Sequence, residues 1–442
     1  LSLSLPSVKL KILNYLRQNL ICAWEKSLFP NQGVVHINVP FNEPLAPIVN
    51  QEVLALKDTF KNNLFFGNLK SVKPVINNVI EVPLNVWRNE EKGVIVGGLC
   101  NSEKPEEYCR AIANLSNYLN YPILAEALSP LRNYANLNSN LITNYDFILR
   151  NEELSEKLTP QIVIQIGELP TSKILREWLT KTNPQRSIID PAGDNFDPLH
   201  GQSLHLRTTI ENISNKILAR GKTIHSEYQK NWLTIDKQVN QKVNQNLADN
   251  EEIFEAKIAW LLSQNLPEKT PLFIANSMPI RYMEYFWQPN NRKIIPYFSR
   301  GTNGIEGTLS TALGIAYDNQ STVILTGDLA LLHDTNGFLI KQKFTGHLTI
   351  ILVNNNGGGI FEMLPIADFG NNFEEYFATP QNIDFEQLCA VYGVEYKLID
   401  NWQHFTQLIR NLPATGIRLL EIQTNRKKDA QWLREKLSQF AE

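Results

Sequence analysis

The sequence predicts an α/β protein built from doubly wound parallel sheets in successive domains, and three observations predict it. Short apolar strands alternate with helical stretches along most of the chain, as βα units feeding a parallel sheet do. Two of the most apolar runs, "STVILTGD" (321–328) and "HLTIILVNNN" (347–356), end in residues able to bind a ligand. No period of roughly 20–50 residues recurs, which excludes a repeat array.

The elements follow in order. Residues 8–29 carry apolar side chains at helical spacing (Val8, Ile12, Leu16, Leu20, Trp24, Leu28). "GVVHINVP" (33–40) then reads as a strand and "FNEPLAP" (41–47) as a Pro-punctuated loop. Such a pair is too small to fold alone, so residues 1–48 read as the closing piece of a larger domain. The chain opens on "LSLSLPSVKL", without Met and unlike a signal or transit peptide. The expectation is a chain that lacks its N-terminal part. Residues 49–90 are mixed and Asn-rich, a linker. Within 91–235, a central α/β domain, the strands are "GVIVGGL", "YPILAEAL", "QIVIQIGELP" and "RSIIDPAGD". The "GG" turn resembles a nucleotide cradle but lacks GxGxxG, and a structural role is the favoured reading. Residues 206–248 form a polar helical connection. The last domain, 250–442, supplies "TPLFIANS", "KIIPYFSRG", "STVILTGD", "HLTIILVNNN", "GVEYKLID" and "GIRLLEIQT". "LLHDTNGFLIKQK" reads as the helix after Asp328.

Composition bounds the function. The 442 residues are 43% hydrophobic with net charge −3, a balance that argues against a nucleic-acid surface. No apolar run approaches the roughly 18 residues of a membrane-spanning helix. Cys22, Cys100, Cys109 and Cys389 show no CxxC spacing and read as reduced thiols. His200 and His205 make a poor metal pair.

Asp328 ends one strand and Asn355 the next, about one strand–helix–strand crossover later. A right-handed crossover brings both to the same sheet edge. That edge then holds a carboxylate, a side-chain amide and a glycine-rich loop, all hard oxygen ligands suited to Mg²⁺. Alone, Asp328 reads equally as a helix cap and "NNNGGG" as a turn. Together they point to a metal–diphosphate site. Arg281 and Arg300 read as loop residues on the same edge, able to grip carboxylates by paired hydrogen bonds or to form structural ion pairs. His333 and Asp334 read as residues that order the helix and loop after Asp328.

"GDLALLHDTNGFL…VNNNGGGIFEMLP" resembles the GD…NN motif of thiamine-diphosphate enzymes. More narrowly, "HDTNG", "GGGIFxxLP", "NSMPIR" (276–281), "SRGTNGIEGTLSTALG" (299–314) and "VHINVPFNEPL" (35–45) resemble the 2-succinyl-5-enolpyruvyl-6-hydroxy-3-cyclohexene-1-carboxylate synthase family of menaquinone and phylloquinone biosynthesis. The resemblance implies the thiamine-diphosphate-binding fold, with residues 250–442 as its diphosphate domain. It implies Mg²⁺, with Mn²⁺ as a substitute, on Asp328, Asn355 and the Gly357 carbonyl. Ser277, Gly327 and Leu329 would line the diphosphate, and Ile305 would lie beneath the cofactor. Arg281 and Arg300 would meet substrate carboxylates, with Ile360, Phe361 and Leu364 as an apolar wall. The implied substrates are 2-oxoglutarate and isochorismate, and the implied assembly is a homodimer or homotetramer, in bacterial cytoplasm or plastid stroma.

The resemblance also implies a glutamate that activates the cofactor's pyrimidine, carried by an N-terminal pyrimidine-binding domain. Glu25, Glu43 and Glu52 do not match its context, so no catalytic residue is assigned and weak or absent turnover is expected. The alternatives are another thiamine-diphosphate enzyme such as an acetolactate synthase or 2-oxoacid decarboxylase, a non-catalytic module of a fused polypeptide, and, last, a nucleotide-binding oxidoreductase suggested only by "VIVGGL".

Overall fold

The computed structural model describes residues 10–29, 33–40, 51, 54–56, 65, 81–100, 102–192, 197–217 and 226–442. Val8, "FNEPLAP" and most of the Asn-rich stretch lie outside the described residues. The chain divides into two compact units, one drawn from Leu1–Glu81, Asp190–Asn195 and His205–Thr209, the other from the remainder.

In the first unit a helix spans Leu10–Leu28. Its Arg17 lies 4.8 Å from the Phe65 ring centroid and donates to the Phe65 carbonyl at 3.1 Å. Residues 33–40 do not form the expected strand. The segment has a single bridge residue, Asn38, and Val34 is fully exposed. Alternating apolar character does not suffice where no ladder is built.

Two six-stranded sheets lie in the second unit, apart from His205 and Leu206 at the end of one edge strand. The first contains β1 (Gly93–Gly97), β2 (Ile123–Ala125), β3 (Leu141–Ile142), β4 (Ile162–Ile166), β5 (Gln185–Ile189) and β6 (Ser203–Leu206), in the order β3-β2-β1-β4-β5-β6. The β1–β2, β1–β4, β2–β3 and β4–β5 pairs are parallel. β1 and β4 are buried along their whole length, which explains why they are apolar apart from Gln165 in β4. Strands β3 and β6 were not foreseen; they are short, and β6 alternates too weakly in burial to stand out. The "GG" turn after β1 closes by backbone approach. A Cβ on Gly98 would sit 1.5 Å from the Glu168 carbonyl oxygen, and Leu99 bridges Glu168. Glycine is needed there for packing.

The second sheet contains β7 (Pro271–Ile274), β8 (Ile295–Phe298), β9 (Thr322–Gly327), β10 (His347–Asn354), β11 (Glu395–Leu398) and β12 (Gly416–Gln423). Its order is β11-β12-β10-β9-β7-β8, and every pair is parallel. From β7 the chain steps outward to β8 and returns on the other side as β9. That reversal opens a crevice at the C-terminal ends of β7 and β9, the place where open α/β sheets bind ligands.

The polar connection folds into helices Ile210–Ile217 and Glu227–Asp249. The second buries Trp232, Val239, Val243 and Leu247 along one stripe, so a polar composition conceals a packed face. Its Asp236 accepts the Thr143 and Asn144 backbone N–H groups at 3.0 and 2.8 Å. The segment after Asp328 is not one helix. A short helix, Asp328–Leu332, gives way to a 3₁₀ segment, Thr335–Lys343.

One buried polar cluster stands out. Arg132 and Glu284 pair at 2.9 Å with almost no exposure. Glu284 also accepts the Ala127 N–H at 2.7 Å and the Tyr145 hydroxyl. Arg132 donates to the Ala125 carbonyl at 2.9 Å and the Glu284 carbonyl at 2.8 Å. Burial holds the Glu284 carboxyl well above its usual range, against the opposing pull of Arg132. The cluster ties the end of β2 to the Met278–Phe286 helix.

Candidate active site

At the β7–β9 reversal lies a cavity of about 340 Å³, within the size of small-molecule sites. Four strand ends contribute. After β7 come Asn276 and Ser277; after β8, Arg300, Asn303 and Ile305; after β9, Gly327, Asp328 and Leu329; after β10, Asn355 and Gly357–Gly359, with Ile360 and Phe361 beyond.

The residues after β9 and β10 meet by geometry the sheet dictates. Val353 pairs in register with Gly327, so the two strands end level. Asp328 accepts the Leu329 N–H at 2.7 Å and the Gly357 N–H at 2.8 Å. Burial raises the Asp328 carboxyl above its ordinary value, and these backbone donors oppose the shift. Gly357 has φ +136°, and a Cβ there would lie 2.2 Å from the Ala378 carbonyl oxygen. No L side chain fits that turn.

The three asparagines of "NNN" do different work. Asn354 donates to Glu421 at 2.6 Å and so ties β10 to β12. Asn356 is left-handed (φ 56°) and donates to Asn382 at 2.8 Å. Asn355 alone lines the cavity. Its Nδ2 donates to Glu255 Oε1 at 2.7 Å, while its Oδ1 is buried with no hydrogen-bond partner among the described residues. An orphaned buried acceptor is costly unless something occupies it, and a carbonyl oxygen beside a carboxylate is a hard-cation donor set.

Ser277 precedes the Met278–Phe286 helix with φ 74° and ψ −136°, a conformation that L residues rarely hold. Arg281 is in the first turn of that helix rather than in a loop as expected. Pro279 starts the helix early, and Arg281 turns back to donate to the Ser277 carbonyl at 2.7 Å. Arg300 does lie in a loop, donating to Asn276 Oδ1 at 3.1 Å. Burial lowers the pKa of both guanidinium groups, and Arg300 adds to the effect at Arg281. Among the described residues neither arginine forms an ion pair. Two partly desolvated cations, neither in an ion pair among the described residues, therefore face one cavity, a field that favours a polyanionic ligand.

Of the site residues read from the sequence, all but Leu364 line this cavity. Leu364 is 48% exposed, at the step between two 3₁₀ segments, and is not among the lining residues. Asp334 accepts the Ser310 N–H at 2.6 Å and steadies the helix Thr308–Ala316. The sequence reading missed Glu255, Asn276 and Asn303. Glu255 opens the helix Glu255–Asn265, is buried, and accepts the Thr424 hydroxyl at 3.3 Å as well as Asn355. Burial and the neighbouring Asp429 push its carboxyl up to about 8. Among the described residues no cluster of three His, Cys, Asp or Glu could hold a metal, so a cation here needs the amide and backbone oxygens.

The chain matches two family models. Residues 72–274 match the middle domain of thiamine pyrophosphate enzymes, and residues 277–422 match the C-terminal thiamine-pyrophosphate-binding domain. Curated relatives named 2-succinyl-5-enolpyruvyl-6-hydroxy-3-cyclohexene-1-carboxylate synthase match nearly the whole chain. The protein of Gloeothece citriformis is 56% identical, over 99% of this chain and 76% of its own length. That of Rippkaea orientalis is 54% identical over 99% and 75%, and that of Acaryochloris marina 49% over 98% and 75%. The chain therefore belongs to the 2-succinyl-5-enolpyruvyl-6-hydroxy-3-cyclohexene-1-carboxylate synthase family of thiamine-diphosphate enzymes.

Proposed function

We propose that the chain serves the reaction its relatives are named for. In that reaction 2-oxoglutarate is decarboxylated and the resulting four-carbon unit is added to isochorismate, in menaquinone or phylloquinone biosynthesis. When bound, thiamine diphosphate supplies the carbon nucleophile and the electron sink for decarboxylation. The chain's own residues bind and orient. Asp328, Asn355 Oδ1 and the Gly357 carbonyl would hold Mg²⁺, or Mn²⁺ in its place. Ser277, Gly327 and Leu329 would bind the diphosphate, and Ile305 would support the cofactor. Arg281 and Arg300 clamp substrate carboxylates by paired charge-assisted hydrogen bonds. Ile360 and Phe361 form the apolar wall that excludes water. Leu364, outside the cavity, has no part in this assignment.

The single observation that carries the reading is the buried Asn355 Oδ1, without a partner among the described residues, in the same cavity as Asp328 and two arginines that form no ion pair with those residues. A second copy of the chain completes the assembly as a dimer or tetramer.

The test is loss of isochorismate with 2-oxoglutarate, thiamine diphosphate and Mg²⁺, comparing this chain with Asp328→Ala. Consumption that disappears in the variant supports the assignment. Consumption of pyruvate with isochorismate untouched refutes it and points to an acetolactate-synthase-like activity.

A further inference from the structure

We infer that Glu255 is a positioning residue for the metal: it fixes the Asn355 amide so that the carbonyl oxygen, and not the NH₂, faces the cavity. The inference rests on the metal assignment above and adds a residue that touches neither metal nor substrate.

An asparagine amide has two faces of similar shape and opposite polarity. Left free, Asn355 could turn either toward a cation, and only one turn is productive. Three contacts remove that freedom. Asn355 Nδ2 donates to Glu255 Oε1 at 2.7 Å. Thr424 Oγ donates to the same oxygen at 3.3 Å. Glu255 is itself held through its backbone N–H, which donates to Asp429 Oδ1 at 2.9 Å. Oε1 thus acts as an acceptor toward two donors, and a proton on the carboxyl group belongs on Oε2. The orientation of Asn355 is the same in either charge state. Flipping the amide would set its oxygen against Oε1 and point its NH₂ at the cation site, both unfavourable.

The location fits this task. Glu255 is buried at the start of its helix, 100 residues before Asn355 in sequence, and borders the same cavity. Metal sites depend on such outer partners, whose loss typically weakens affinity about 10–100-fold.

The experiment measures Mn²⁺ binding by electron paramagnetic resonance in the presence of thiamine diphosphate, with folding checked by circular dichroism. Glu255→Leu, which cannot accept a hydrogen bond, should bind Mn²⁺ at least about tenfold more weakly. Glu255→Gln keeps an acceptor oxygen and should stay within about threefold of wild type. In the Asn355→Asp background Glu255→Leu should cost less affinity than it does in wild type, because a carboxylate presents oxygen whichever way it turns; that smaller loss is the rescue. A merely structural role for Glu255 predicts equal losses in both backgrounds. Asp328→Ala separates the two levels of the argument. If it leaves Mn²⁺ binding unchanged, the metal assignment falls and this inference with it. If Asp328→Ala abolishes binding while Glu255→Leu does not weaken it, or the double variant shows no rescue, only the role of Glu255 is overturned.

Discussion

Gly357 donates its backbone N–H to Asp328 at 2.8 Å, joining the ends of two adjacent parallel strands across 29 residues of sequence. That bond sets the spacing between the carboxylate and the glycine loop, and it exists because Gly357 holds φ +136°. Gly357→Ala should destabilise the chain by about 1–3 kcal/mol and displace the loop from Asp328. Urea denaturation checks the first effect. A wild-type midpoint in Gly357→Ala would mean that the turn relaxes without cost.

Ser277 holds a strained backbone at the cavity edge. Ser277→Gly should relieve that strain and raise stability by up to about 1 kcal/mol, while weakening thiamine-diphosphate binding through loss of the hydroxyl. Thermal melting without cofactor, followed by a cofactor titration, separates the two. A lower melting temperature in the glycine variant would argue that the conformation is unstrained.

The Arg132–Glu284 pair is fully buried and shared with Tyr145 and Ala127. Removing one partner leaves an uncompensated group in the interior, so Arg132→Met should cost about 3–5 kcal/mol. The same variant should loosen the Met278–Phe286 helix and, with it, Ser277 and Arg281. Denaturant titration reads the first effect; a change below about 1 kcal/mol would show that the pair breaks even against an apolar residue.

His347 is buried at the start of β10, its ring bonded to Thr349 Oγ at 2.8 Å and the Thr415 carbonyl at 3.1 Å. Burial, the largest influence, lowers its pKa below 6.5. A histidine depressed in the folded state stabilises above its unfolded pKa and loses that contribution as pH falls through the folded value. Stability should therefore fall as pH drops below about 6.5, and His347→Gln should fall less steeply. Parallel curves for the two proteins between neutral and acidic pH would contradict the assignment.

The strands were legible because β1, β4, β9 and β10 are buried on both faces and are therefore mostly apolar, with only isolated polar residues such as Gln165 and Thr349. Asp328 and Asn355 were legible for the complementary reason that polar residues break such runs at the ligand edge. The same criterion applied to "TPLFIANS" would have found Asn276. Glu255 left no comparable trace. An acid in the first turn of a helix is common for its interaction with the helix dipole, and its partner lies far away in sequence. Arg281 was misplaced because the helix begins at Met278, directly after Ser277, leaving no loop to hold it. β3 stayed hidden because a two-residue strand carries too little pattern, and β6 because Ser203 and His205 interrupt its apolar residues.

The central claim is that this cavity binds thiamine diphosphate through a cation held by Asp328 and Asn355. Calorimetric titration of thiamine diphosphate into the chain with Mg²⁺, beside Asp328→Ala and beside wild type in chelator, tests it most directly. The account predicts saturable binding that weakens at least about 100-fold, some 3 kcal/mol, both in the variant and without the metal. Binding of equal affinity in all three samples would contradict it.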